Sequence, residues 1–356
     1  MTKILLFGEP LIRISPLDAT SIGDHVASST YFGGSEINIA CNLQALGIST
    51  KVFTALPANE IGDRFLTFLK QHQIDTSSIC RLGDRIGLYY LENGFGCRQS
   101  EVFYDRKHTS ISQIRPNMLD MDSLFQGISH FHFSGITVAI GQEVRAILLL
   151  LLEEAKRRGI VVSMDLNLRT KMISVLEAKR RGIVVSMDLN LRTKMISVLE
   201  AKYEFSKFAR FTDYCFGIDP LMIDDQNLEM FPRDSASLEE VENRMRLLKE
   251  AYGFKAIFHT LRSSDEQDKN VYQAYALEEL FEESVQLKTA VYQRIGSGDA
   301  FISGALYQLL HHSSLKTTID FAVASATLKC TLPGDHLSTS ATSIENLLAN
   351  AQDIIR

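Results

Sequence analysis

The amino-acid sequence predicts a three-layer α/β/α fold on a mostly parallel sheet, with a small β-rich lid. Three observations predict it. Short continuous apolar runs alternate with segments whose apolar residues recur at helical spacing, the pattern of a parallel sheet covered on both faces. Glycines close several of these segments, as strand-to-helix turns and helix ends require. Two stretches, about 11–34 and 83–110, break the alternation with β-rich runs joined by Gly and Asn, and read as strands of an accessory sheet.

In chain order, KILLFG is a strand ending at Gly8, and SEINIACNLQALG is a helix with Ile37, Ala40, Leu43 and Leu46 on one face, stopped at Gly47. TKVFTALP is a strand and IGDRFLTFLKQHQI a helix. ISHFHFSG and GIVVSMDLN are strands flanking a Leu-rich helix at 142–158, and KAIFHTL is a later strand. GDAFISGALYQLLHH and TTIDFAVASATLK are the closing helices. The longest apolar run, VRAILLLLLEE, falls far below the roughly 20 residues that span a bilayer and reads as a buried helix.

The 356 residues, 45% hydrophobic and 22% charged, suit a single large α/β domain, 1–356. A formal net charge of −6 argues against nucleic acid as a partner. Five cysteines, Cys41, Cys80, Cys97, Cys215 and Cys330, form no C-x-x-C pair. With an N-terminus that lacks a signal peptide's apolar stretch, they point to a reducing cytoplasm and no membrane.

Residues 154–176, EAKRRGIVVSMDLNLRTKMISVL, recur letter for letter at 177–199. Solenoids need at least three units, and their repeats diverge. A sheet has one slot for the strand inside this segment, so one copy is surplus. Copy one inherits the upstream helix and copy two the downstream helix at 194–209; the strand is expected from copy one, with 177–199 as the spare that bulges out.

Two glycine-led helix starts carry the chemistry. In RIGSGDAFISGAL, Gly296, Ser297 and Gly298 precede a helix. Unpaired first-turn N–H groups and the helix dipole there suit a phosphate, with Asp299 at the lip able to accept a hydroxyl proton. Asp299 as a simple N-cap is the plainer alternative. In YFGGSEINIACNLQALG, Gly34 precedes a helix on which Asn38, one turn in, could face a ligand's hydroxyls. The P-loop pattern G-x-x-x-x-G-K-[ST] is absent, and GEPLIR after the first strand lacks the dinucleotide-binding G-x-G-x-x-G.

Together these stretches resemble the two hallmark motifs of the ribokinase-like (PfkB) sugar kinases, G-G-x-x-x-N-x-A…L-G and G-[AS]-G-D-x-F-x-x-G, in the right order. The resemblance covers nearly the whole chain. Within the family, FGEPLIRISP, SATLKCTLPGD (325–335), the D-x-N-x-R of SMDLNLR, VFYDRKHTS and HTLRSSDEQDKN resemble the 2-keto-3-deoxygluconate kinase branch. The resemblance implies ATP and Mg2+ as cofactors, a sugar-acid substrate, and transfer to its terminal hydroxyl. It implies Asp299 as base over the Gly296–Gly298 amides. Gly34, Asn38, Tyr89, Tyr104, Arg106 and Arg169 (or its repeat, Arg192) are implied at the substrate, and Asn167 (or Asn190), Thr260, Arg262, Asp265 and Lys329 at the nucleotide.

Arginine meets a carboxylate with two parallel hydrogen bonds, so Arg106 and the Arg of D-x-N-x-R favour an acid over a neutral sugar such as fructose. The family's usual N-x-x-E is replaced by FGIDPLMIDD, with Ile218 and Leu221 at the matching places. Asp219 or Asp224 could compensate, and the metal ligands are left unassigned. His130 and His132 alternate on one strand and read as packed or hydrogen-bonded. The open edge of the lid sheet implies a homo-oligomer. A neutral-sugar kinase and a non-catalytic ligand-binding relative are the alternatives.

Overall fold

The structure is a computed structural model that describes residues 2–95, 98, 100–167, 196–232, 235–264 and 270–349. Fourteen strands lie among these residues: β1 (Lys3–Phe7), β2 (Leu11–Pro16), β3 (Ser28–Gly33), β4 (Ser49–Leu56), β5 (Ile79–Arg81), β6 (Gly87–Glu92), β7 (Glu101–Asp105), β8 (His130–Ser134), β9 (Val161–Asp165), β10 (Tyr214–Phe216), β11 (Ala256–Ser264), β12 (Asn270–Leu277), β13 (Phe281–Glu283) and β14 (Leu287–Thr289). The helices are α1 (Ser35–Ala45), α2 (Glu60–Gln71), α3 (Met121–Phe125), α4 (Gly135–Ala139), α5 (Gln142–Arg157), α6 (Val198–Ala209), α7 (Leu238–Tyr252), α8 (Ser297–Leu310), α9 (Leu315–Lys329) and α10 (Ala341–Ala349).

The central sheet runs β13-β12-β11-β10-β9-β8-β1-β4-β5, with β14 also on β12. From β11 to β5 every pairing is parallel, whereas β12 joins β11, β13 and β14 in antiparallel register. Strand periodicity divides the interior in two. In β1, Leu5 and Phe7 point into a core shared with α5, α6 and α7. Ile4 and Leu6 point into a second core shared with α1, α2, α8 and α9. A strand buried on both faces has no polar alternation to show, which is why β1 reads as one apolar run. The Leu-rich α5 buries Val144, Ile147, Leu148, Leu151, Leu152 and Ala155 as one stripe, so it is a core helix. No helix among the described residues is long and apolar enough to cross a membrane.

The two stretches that break the alternation form a separate four-stranded sheet, β3-β2-β6-β7. Its β6–β7 hairpin sets Tyr89 opposite Tyr104.

Copy one of the repeat supplies the sheet strand. β9 holds Val161 to Asp165, hydrogen-bonded between β8 and β10. The equivalent residues of copy two, 184–188, lie outside the described residues, as do Arg169, Asn190 and Arg192. Helix α6 begins at Val198, inside the last residues of copy two, and is capped by Ser197. β9 thus comes from copy one, while the first two residues of α6 belong to copy two.

Sequence reading assigned no strand to 270–289, yet β12 to β14 lie there. The run EELFEE disguises two short antiparallel turns of chain as a charged loop. Their register comes from pairing, β12 with β11 and β13 and β14 with β12, rather than from local pattern.

Candidate active site

A cavity of about 470 Å³ opens at the carboxyl ends of the parallel strands, where ligands bind in open α/β sheets. Asp165 and Asn167 at the end of β9, Phe216 at the end of β10 with Gly217 to Asp219 after it, and Thr260 and Arg262 on β11 form one wall. The Gly296–Asp299 start of α8 forms the other.

Gly296 caps α8 with φ +78, and a Cβ there would lie 1.8 Å from the Asp335 carbonyl oxygen. Only glycine permits that turn. It leaves the α8 amides at the cavity wall, a ready anion cradle. Asp299 sits one turn in, 6% exposed, and lines the cavity. Its carboxylate accepts hydrogen bonds from Ser35 Oγ (2.8 Å) and Asn38 Nδ2 (2.7 Å). Both donors stand on the first turns of α1, so two helix N-termini meet at one carboxylate. The plainer reading of Asp299 as an N-cap does not describe this geometry: the cap position is Gly296, and Asp299 is tied to another helix 261 residues away in sequence.

The amide of Asn38, expected at the substrate, donates to Asp299 and orients it. Asn38 Oδ1 is buried with no hydrogen-bond partner among the described residues. Gly34 caps α1 at φ +120, and a Cβ there would meet the Glu9 carbonyl oxygen at 2.2 Å. The next residue but one, Glu36, is fully buried. Its carboxylate accepts from Ser134 N (2.9 Å), Ser134 Oγ (2.6 Å) and Thr137 Oγ1 (2.7 Å). Burial pushes its pKa up despite these hydrogen bonds, and the nearby Asp299 charge adds to the rise.

Around this centre lies a ring of residues from the small sheet. Arg106 follows β7 and pairs with Glu9, through Nη2 and through Nε (2.6 Å) to Glu9 Oε2; the side chains are 7% and 2% exposed. Thr109 Oγ1 donates to the other Glu9 oxygen at 3.0 Å. Tyr89 donates its hydroxyl to Asp335 Oδ2 at 2.6 Å, and Asp335 is bridged to Arg13 at 2.6 Å in full burial. Arg13 also lies over the Tyr31 ring, 3.9 Å from its centroid. Tyr104 packs beside Tyr89 and under Arg106.

The remaining expected residues divide. Thr260, Arg262 and Asn167 line the cavity; Arg262 lies over the Tyr272 ring, and Asn167 Nδ2 donates to Ser35 Oγ at 3.4 Å. Lys329 ends α9, is fully buried, and donates to the Leu332 carbonyl at 3.0 Å; burial lowers its pKa to about 8. Gly34, Asn38, Tyr89, Tyr104, Arg106 and Lys329 are not among the residues that line the cavity. Asp265 lies outside the described residues. Of the two carboxylates weighed as metal ligands, Asp219 lines the cavity. Asp224 is exposed and lines a different cleft with Lys207 and Arg210. His130 stacks on Tyr214, and His132 Nδ1 meets Ser163 Oγ at 2.7 Å.

Sequence reading missed Glu9, Ser35, Arg13 and Asp335. The clue for Glu9 was an acidic residue two positions after a buried strand end, a costly place for a charge without a cation to meet it.

The model of the pfkB family carbohydrate kinases matches residues 1–186 and 268–342. The 2-dehydro-3-deoxygalactonokinase of Haloferax volcanii is 25% identical over 346 residues, spanning 97% of this chain and 96% of that protein. The crystal structure of the 2-dehydro-3-deoxygluconokinase from Thermotoga maritima is 29% identical with a TM-score of 0.84, covering 98% of each chain. That of a PfkB family carbohydrate kinase from Listeria grayi is 27% identical with a TM-score of 0.81, covering 98% of this chain and 100% of its own. With its sheet order, its glycine-led helix starts and a matched share well over half its length, the chain belongs to the pfkB family of carbohydrate kinases and is a sugar kinase.

Proposed function

We propose that this sugar kinase uses ATP and Mg2+ to phosphorylate the terminal hydroxyl of 2-keto-3-deoxygluconate, giving 2-keto-3-deoxy-6-phosphogluconate. The observation that carries the reading is the setting of Asp299. It is a carboxylate fixed by Ser35 and Asn38 beside the Gly296–Gly298 amides, at the wall of a cavity of nucleotide size.

Asp299 accepts the proton of the substrate hydroxyl as its oxygen attacks the γ-phosphoryl group. Amides of Gly296, Ser297 and Gly298 hold the charge that develops on the transferring group. Fixing Asp299 through two donors keeps its acceptor oxygens at one position, which is the positioning contribution to rate. Thr260, Arg262 and Asn167 bind the nucleotide along the opposite wall. Arg106, oriented by Glu9 and Tyr104, meets the sugar acid's carboxylate, while Tyr89 and Gly34 shape the same side. The small sheet acts as the lid that excludes water. Mg2+ suits hard oxygen donors and retained waters. Asp165 and Asp219, the cavity carboxylates other than the base, would hold it, and it would neutralise phosphate charge.

A coupled ADP-release assay over a panel of sugar acids and neutral sugars tests the reading. The expected result is a kcat/KM for 2-keto-3-deoxygluconate at least tenfold above that for fructose. Preference for the neutral sugar would overturn the carboxylate assignment, and absence of turnover on every sugar would overturn catalysis.

A further inference from the structure

Outside the cavity, three side chains from distant parts of the chain converge on one point. Cys41 lies on α1, three residues beyond Asn38. His72 caps the end of α2. His336 stands in the segment after α9, next to Asp335. One ligand atom from each, a thiol sulfur and two ring nitrogens, lies within 4.8 Å of the others. The imidazole rings meet edge to face with centroids 4.8 Å apart. No step of phosphoryl transfer uses these groups.

We propose that Cys41, His72 and His336 form a binding site for a thiolate-preferring transition-metal ion of the Zn2+ class, which staples the segment around Asp335 to α1 and α2. One thiolate with two imidazoles is the borderline-soft donor set that such ions select over Mg2+ or Ca2+. Zinc–ligand bonds of about 2.0–2.3 Å place tetrahedral ligand atoms roughly 3.3–3.8 Å apart, so side-chain shifts of about 1 Å close the site. His336 Nδ1 contacts Ser338 Oγ at 2.9 Å, a bond that fixes the ring and commits its other nitrogen to the metal. Both rings are only partly buried, so water completes the fourth position.

The consequence reaches the candidate active site through one peptide bond. Asp335 precedes His336, is bridged to Arg13, accepts from Tyr89, and presents its carbonyl to the Gly296 turn. A metal on His336 holds that residue in place.

Cobalt(II) titration of the chelator-treated full-length chain, without nucleotide, tests the site. The wild type is expected to take up one equivalent, with a thiolate-to-cobalt charge-transfer band and intense visible bands of a tetrahedral ion. Zinc should displace both. Cys41→Ser should lose the charge-transfer band while keeping the wild-type circular dichroism. His336→Gln, on an outer segment, should weaken binding at least about tenfold, the scale of a lost ligand contact. X-ray absorption of the zinc form should show one sulfur and two imidazole nitrogens. A charge-transfer band that survives Cys41→Ser, wild-type binding without such a band, or full affinity in His336→Gln would overturn the proposal.

Discussion

Asp299→Asn separates the base from the fold. The substitution keeps size and shape at a nearly buried position, and the local hydrogen bonds can be redrawn. The Asn38 amide can still donate to the new side-chain oxygen. The new NH2 then faces Ser35 Oγ, which turns from donor to acceptor. Stability should therefore change by only about 1 kcal/mol. The chemistry cannot be redrawn, because an amide accepts no proton at pH 7. Loss of a positioned general base costs about 10²–10⁴ in rate, or roughly 3–5 kcal/mol of barrier at about 1.4 kcal/mol per decade. The assay is steady-state ADP release with saturating ATP and sugar acid, run beside calorimetric unfolding. The expected outcome is a kcat lowered at least 100-fold with KM for both substrates within about threefold. A folded variant that keeps more than a tenth of the wild-type kcat would refute the role of Asp299. A large loss of Tm would instead show that its two hydrogen bonds hold α1 to α8.

Three further outcomes are expected. Arg106→Ala strands the buried Glu9 carboxylate and should cost about 3–5 kcal/mol in denaturant unfolding. Arg106→Ala with Glu9→Gln should recover most of that stability while the sugar-acid KM stays raised, so an unchanged KM in the folded double variant would remove Arg106 from the substrate site. Burial lowers the pKa of His132 from 6.5 to about 3, so it folds neutral while the unfolded chain takes up its proton below pH 6.5. Stability should thus fall as pH drops from about 6.5 towards 3, by up to about 5 kcal/mol from this residue, and His132→Gln should flatten the loss. A chain lacking residues 177–199 rejoins copy one to the downstream helix without touching β9, and should match the parent in kcat and Tm; a tenfold loss of activity would show that the second copy serves the site.

What could be read in the sequence, and what could not, follows from distance along the chain. β1, β4, β8, β9 and β11 were legible because two-sided burial leaves continuous apolar runs. α5 was legible because its stripe is unbroken, and the α1 and α8 starts because glycines mark turns that side chains cannot make. Asn38 stood out in the sequence one turn into a glycine-led helix, but its partner is 261 positions away, so its bond to Asp299 had no local signature. The Arg13–Asp335 bridge and the Glu9–Arg106 pair are hidden for the same reason: each joins residues far apart in the chain, so neither residue points to its partner. β12 to β14 were missed because edge strands take their register from a neighbour. The sheet has one place between β8 and β10, and copy one fills it, as its intact upstream helix suggested.

The most direct measurement is phosphorus NMR of the product after incubation with 2-keto-3-deoxygluconate and magnesium ATP. A phosphomonoester signal split by the two protons of the terminal methylene, growing one for one with ADP, is the predicted spectrum. ADP accompanied only by inorganic phosphate, or an ester on a secondary carbon, would contradict attack by the terminal hydroxyl on the γ-phosphoryl group.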